Sequence, residues 1–103
     1  MSVYVDPIFR TDAHSGRWPY PWACHMFADS LDELHAMAAQ IGLRRSWFQT
    51  GWGRSSHYDL TLKRREAALK AGAIELDRHA TVEKIRALRE IALADVRRQA
   101  GAR

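Results

Sequence analysis

The stretch SLDELHAMAAQIGL, residues 30–43, decides how the rest of the chain is read. Ser30 can cap a helix, and Glu33 stands three residues on, the spacing of a reciprocal capping box. Leu31, Leu34, Ala38 and Ile41 then recur at helical spacing and make one apolar stripe. Gly42 ends the helix in the left-handed position that glycine takes without a Cβ penalty, and Leu43 can fold back on the last turn. An amphipathic helix bounded this well must lay its stripe on something, so the flanking segments are read for a sheet.

Upstream, Val3-Tyr4-Val5 is β-branched and aromatic and reads as a short strand, closed by the turn signal Asp6-Pro7. Residues 10–22 have no period and carry Gly16, Pro19 and Pro21 among Trp18, Tyr20 and Trp22, which predicts an aromatic-rich loop. Ala23 to Phe27 offers a second short extended piece. Downstream, Ser46 to Thr50 holds Trp47-Phe48 and reads as a short buried strand, followed by a flexible loop over 51–56. A second helix is expected from near Thr61 to Lys70, with Gly72 as its stop. Ala73 to Asp77 alternates apolar and polar, a strand with Ile74 and Leu76 inward. A last helix runs from near Thr81 to about Ala100. Val82, Ile85, Leu88, Ala92 and Val96 form its apolar face, while Ile91 and Leu93 lie off that stripe and offer a second surface, for example to another copy.

Strand, helix, strand, helix, strand, helix predicts an α/β sandwich of two or three layers. Its sheet would be short, mostly parallel and three- to four-stranded, with a long C-terminal helix and room for an antiparallel edge strand. With 103 residues there is one core. Residues 1–80 would form it, and the helix over 81–103 would pack on or extend the same domain. No apolar run approaches roughly 18 residues, so no membrane span is expected. The N-terminus lacks the basic start and apolar stretch of a signal peptide. The single cysteine, Cys24, can form no internal disulfide. Together these features predict a cytoplasmic protein. The formal net charge is +4, with basic residues grouped at Arg44-Arg45, Lys63 to Arg65 and the C-terminus. That balance favours anionic partners, nucleic acid or phosphate, although a solvated basic surface is the plainer reading.

In open parallel sheets, ligands bind beyond the carboxyl ends of the strands. Asp6 follows the first strand directly, and His57 and Asp59 close the loop before the second helix, so they should meet at one edge. His25 precedes the first helix, and the topology leaves its position open. A histidine and two carboxylates suit a divalent metal such as zinc, manganese or iron. They equally suit acid–base work, with His57, Asp59 and Asp6 as the catalytic candidates. The structural alternatives are that Asp59 caps a helix and Asp6 braces a turn. There is no Cys-x-x-Cys and no His-Glu-x-x-His. His35, at the border of the apolar stripe, reads as a half-buried histidine bonded to a neighbour, and Cys24 as a buried thiol. Arg45 and Arg54 are candidates to hold an anionic group. Trp18, Trp22 and Trp52, interleaved with Arg10, Arg17 and Arg54, can stack on bases, or simply pack over the sheet as a lid.

The ordered set Val3-Tyr4-Val5-Asp6, Cys24-His25-Met26, Ala28-Asp29, Glu33-Leu34-His35, Ile41-Gly42, Trp47-Phe48-Gln49, His57-Tyr58-Asp59 and Gly72-Ala73 resembles the domain of unknown function 4031. That is a family of small proteins from bacteria and their phages with no established activity. The resemblance covers roughly residues 2–77 and leaves the last helix outside. It implies a site among Asp6, His25, Asp29, His35, Gln49, His57, Tyr58 and Asp59, since polar residues recurring in loops point to function more than to packing. The expectation is therefore a polar pocket of Asp6, His25, His57, Tyr58 and Asp59, with Gln49, Arg45, Arg54 and Trp52 as further ligand-binding residues. It would bind a divalent metal (zinc or manganese, through His25, His57 and Asp59) or a phosphorylated or nucleotide ligand, with hydrolytic activity. The rivals are a nucleic-acid-binding module and an interaction protein, such as a phage factor that blocks a host defence complex. In the latter case the last helix would contact a partner or a second copy.

Overall fold

The computed structural model describes residues 2–11, 18–50 and 56–101. Among them the chain forms a five-stranded mixed sheet and three α-helices. In chain order these are β1 (Val3–Val5), β2 (Phe9–Arg10), β3 (Trp22–Ala28), α1 (Leu31–Gln40), β4 (Tyr58–Leu60), α2 (Leu62–Lys70), β5 (Ile74–Glu75) and α3 (Arg78–Gly101). The order is thus β-β-β-α-β-α-β-α rather than strict alternation. The long central strand is β3. It pairs antiparallel with β1 and β2, and antiparallel with β4; only β1 and β5 run parallel.

The expected mostly parallel sheet is therefore corrected, and β3 is the reason. Two residues, Asp29 and Ser30, separate it from α1, so β3 needs no crossover and lies antiparallel beside β1. Both faces of β3 are covered: Ala23, Cys24, Met26 and Phe27 are all buried. A strand buried on both sides shows no two-residue alternation, so it reads weakly in sequence. A second correction concerns Trp47 and Phe48. Arg45–Trp47 is a single 3-10 turn, Trp47 is 48% exposed, and the segment's pairing among the described residues is an isolated bridge from Gln49 to His57, just before β4. In β5, Ile74 points outward at 43% exposure instead of inward.

The core lies between one sheet face and α1 with α2. Val3, Val5, Cys24, Met26, Tyr58 and Leu60 meet Leu34, Met37, Ala38, Ile41 and Ala68 there. Ser30 caps α1 as expected, its hydroxyl oxygen accepting from the Glu33 amide at 3.2 Å. The reciprocal half of the box does not form; the Glu33 carboxylate instead accepts from the Ser30 hydroxyl at 2.8 Å. Thr61 caps α2 in the same way. Asp77 caps α3, accepting from the Ala80 amide at 2.7 Å, so that helix begins at Arg78 rather than near Thr81. Thr81 is instead buried in its first turn.

On the other face Tyr4 and Phe27 pack ring to ring, and Lys84 of α3 lies over Tyr4, its Nζ 5.0 Å from the ring centre. Lys84 also pairs with Asp29 at 2.9 Å, which ties α3 to the start of α1. Ile85 and Leu88 are half-buried, but Ile91, Leu93 and Val96 are exposed, so the second half of α3 extends past the sheet. No helix among the described residues is long and apolar enough to cross a membrane.

Gly42 shows how tightly the α1 terminus is built. Its φ is +85°, the Leu43 amide reaches back to the Ala38 carbonyl at 2.8 Å, and the Arg64 guanidinium of α2 donates to the Ile41 carbonyl. A Cβ on residue 42 would sit 2.6 Å from Arg64 Nη1. Gly42→Ala is expected to lower stability by about 1–2 kcal/mol in urea unfolding, because it combines left-handed strain with displacement of a capping arginine.

Candidate metal centre

The site grows from a bulge. Val5 stands opposite Met26, while Phe9 stands opposite Ala23, so three residues of one edge (Asp6, Pro7, Ile8) face two of β3. Such an insertion bends the strand and re-aims a side chain. Pro7 fits here because it has no amide to place in the ladder. The side chain re-aimed is Asp6. Its Oδ1 takes the His25 amide at 2.5 Å, in place of a backbone carbonyl, and its Oδ2 takes the imidazole Nδ1 at 2.7 Å. The Asp6 amide donates to the His25 carbonyl at 3.1 Å, and Arg65 of α2 donates to the Asp6 carbonyl at 3.2 Å. Asp6 therefore fixes both the backbone and the ring of His25.

Because the His25 backbone groups face β1, its pairing with Asp59 across to β4 is a non-hydrogen-bonded pair. Opposite Cα atoms in such pairs are only about 4.5 Å apart, which brings their side chains close. His57 lies two residues before Asp59 and so shares its face. The result is convergence: His25 Nε2 lies 3.6 Å from Asp59 Oδ1, and His57 Nε2 lies 3.5 Å from the same oxygen. The two imidazoles meet edge to face at 4.9 Å, and Phe9 stacks on His25 at 5.0 Å. One ligand atom from each of His25, His57 and Asp59 falls within 4.8 Å of the others. Bonds of roughly 2.0–2.1 Å at tetrahedral angles put ligand atoms about 3.3 Å apart, so the two measured separations need to close by only a few tenths of an ångström. An ion on Nε2 of His25 would leave Nδ1–H to donate to Asp6, the usual outer-shell arrangement of a ligating histidine.

Burial alone would raise the Asp59 carboxyl, but hydrogen bonding from His57 and Gln49 and the charge of the two imidazoles hold it below the usual carboxylate range. Asp59 is thus an anion across neutral pH, as a metal-ligating carboxylate must be. Side-chain exposures of 12% for His57, 29% for Asp59 and 35% for His25 make the cluster part-buried rather than sealed.

Tyr58 does not join this group. It alternates to the opposite face, is 1% exposed, and shares a 2.8 Å hydrogen bond between its hydroxyl and His35 Nδ1. Tyr58 is a core residue between two site residues. Arg45 lies on that same side, where its charge acts on His35 and Tyr58. Asp29 serves the fold: it accepts from the Ser2 amide, the Tyr4 hydroxyl and Lys84. Burial would raise its pKa, yet these donors hold it low. Cys24 faces the core, where burial and the Asp6 carboxylate push its thiol up to about 12. Its side chain is buried among the core residues and is not one of the three converging donors. Trp52 and Arg54 lie outside the described residues. Trp22 is exposed, with Arg10 over its ring at 5.7 Å, so these two sit at the tip of the β2–β3 ladder and not over the site. Phe9 is the residue the sequence reading passed over. Only the bulge reveals it, since three residues separate it from Val5 and its register depends on all of them.

His35 carries a pH prediction. Burial first, and then the charge of Arg45, lower its pKa below the ordinary 6.5. A depressed folded value means a contribution to stability that is fully present above about pH 6.5 and lost as pH falls through the lower folded value. Urea midpoints should therefore drop as pH falls below about 6.5, with a shallower drop in His35→Gln.

A cleft of about 510 Å³ opens away from the cluster, between Leu31 and Leu34 of α1 and Leu88, Ile91 and Ala92 of α3, and none of the three converging donors lines it. Neither the curated proteins nor the solved structures contain a match to this chain. The sequence profile of one family, described as a protein of unknown function, does match, and it spans β1 through the first half of α3. With residues 3–88 of its 103 covered, the chain belongs to the DUF4031 family.

Proposed function

We propose that this protein is a metal-dependent enzyme of hydrolytic type, holding one divalent transition-metal ion through His25 Nε2, His57 Nε2 and Asp59 Oδ1. The observation that carries this reading is the convergence of two imidazoles and one carboxylate, all part-buried, within 4.8 Å. Three protein donors with an open position are the pattern of catalytic sites, whereas structural zinc sites close with four. Bound there, the ion would supply a water activated near neutral pH and a Lewis acid for an anionic substrate oxygen. The chain's own contribution is to fix the donors. Asp6 sets the tautomer and tilt of His25, the antiparallel register sets His25 against Asp59, and Phe9 covers one face of the His25 ring.

Thermal unfolding with added ZnCl₂ or MnCl₂ tests it. Saturating metal at about 100 times the dissociation constant contributes about 2.7 kcal/mol, a rise on the order of 10 °C for a domain of this size. The expected result is that rise in the unaltered protein and none in a variant carrying His25→Ala and Asp59→Ala. Equal midpoints with and without every divalent ion tried would reject a metal site. Asp6→Ala should retain binding but weaken it about 10–100-fold, the usual effect of losing an outer-shell partner. Equilibrium dialysis measures that ratio.

A further inference from the structure

Gln49 stands beside the three donors without being one of them. Its backbone forms a reciprocal bridge with His57: the Gln49 amide donates to the His57 carbonyl at 2.9 Å, and the His57 amide donates back at 3.0 Å. Its side-chain Nε2 donates to Asp59 Oδ2 at 2.6 Å. One residue thus grips two donors, one through the main chain and one through the side chain. The two Asp59 oxygens are divided as a consequence. Oδ1 faces both imidazoles, and Oδ2 is held by the amide.

We infer that Gln49 is a positioning residue that keeps Asp59 a one-oxygen ligand and so holds coordination positions open for water or a substrate oxygen. The inference rests on the metal reading of the same cluster and goes beyond it. A carboxylate free to rotate can offer both oxygens and occupy a further position on the ion. An amide donor fixed on Oδ2 withdraws that oxygen and sets the plane of the carboxylate. The amide is anchored because its own backbone is bridged to His57, the residue just before β4. The neutral donor matters as much as its reach. A glutamate at position 49 has the same length but no donor at neutral pH, and would repel Asp59.

The experiment is titration with CoCl₂, whose visible bands change in position and intensity with coordination number, on the unaltered protein, Gln49→Ala and Gln49→Glu. The expected result is Co²⁺ binding in all three, an affinity about 10–100-fold lower in both variants, and altered bands in the saturated Gln49→Ala protein as Asp59 adds its second oxygen. Unchanged bands in Gln49→Ala overturn the inference even if its affinity falls, because a merely structural role for Gln49 leaves the coordination number alone. Complete loss of binding in both variants overturns it too, since a positioning residue only tunes a site whose three donors remain. Failure of the unaltered protein to bind Co²⁺, Zn²⁺ or Mn²⁺ is a different failure. It removes the metal reading itself, and this inference with it.

Discussion

His57→Ala is expected to weaken zinc binding more than 100-fold while leaving the chain folded. The size follows from what is lost. Outer-shell partners typically cost 10–100-fold, and a directly coordinating imidazole costs more because no neighbour fills its place. His57 projects from the strand edge toward Asp59 Oδ1, 3.5 Å away, and alanine leaves its backbone bridge to Gln49 intact. The fold should lose about 1–2 kcal/mol, since the part-buried ring packs edge to face on His25 and pairs with Asp59. Calorimetric titration with ZnCl₂, beside a urea curve for each protein, separates the two effects. Asp59→Asn should behave similarly for the metal, because it keeps the shape and removes the charge. Zinc affinity unchanged in His57→Ala would mean that the imidazole is no ligand.

Tyr58→Ala is expected to be the most damaging single change to stability, at about 3–5 kcal/mol. Tyr58 heads the fully buried side chains by volume and packs on Phe48 and His35. Its removal leaves a cavity in the core and takes away the hydroxyl partner of His35. Against a total stability of about 5–15 kcal/mol, that loss leaves a chain near its unfolding threshold. Tyr58→Phe keeps the ring and loses only the hydrogen bond, so about 1 kcal/mol is expected from urea unfolding. Metal affinity in Tyr58→Phe should stay within a few-fold of the unaltered protein, because the hydroxyl points to the face opposite the donors. A collapse of metal binding in Tyr58→Phe would put Tyr58 in the site.

Much of the helical structure was legible in the chain. Ser30, Gly42 and Leu43 mark α1 at both ends, and Thr61 and Gly72 mark α2, because caps and left-handed stops are local chemistry. Strand direction was not legible, because it depends on which distant partner a strand finds. The seven residues of β3 carry no alternation, since both of its faces are covered. Trp47-Phe48 looked like a buried strand on composition alone, yet Trp47 sits on a 3-10 turn beneath the Arg44 guanidinium. The site shows the same division. The residue types of His25, His57, Asp59 and Asp6 pointed to metal or acid–base chemistry. The rule that would gather them at the carboxyl edge of a parallel sheet does not apply, for β3 and β4 run antiparallel. They gather through cross-strand register and a one-residue bulge at Asp6, neither of which any single segment reveals. That same register separates Tyr58 from its neighbours on either side, a consequence of the two-residue alternation of β4.

X-ray absorption at the zinc edge of protein loaded with one equivalent of ZnCl₂ tests the central claim most directly. Nitrogen and oxygen ligands at roughly 2.0–2.1 Å, with outer-shell scattering from two imidazole rings, are the expected result. A sulfur ligand at roughly 2.3 Å, a spectrum without imidazole scattering, or protein that retains no zinc would contradict a centre built from His25, His57 and Asp59.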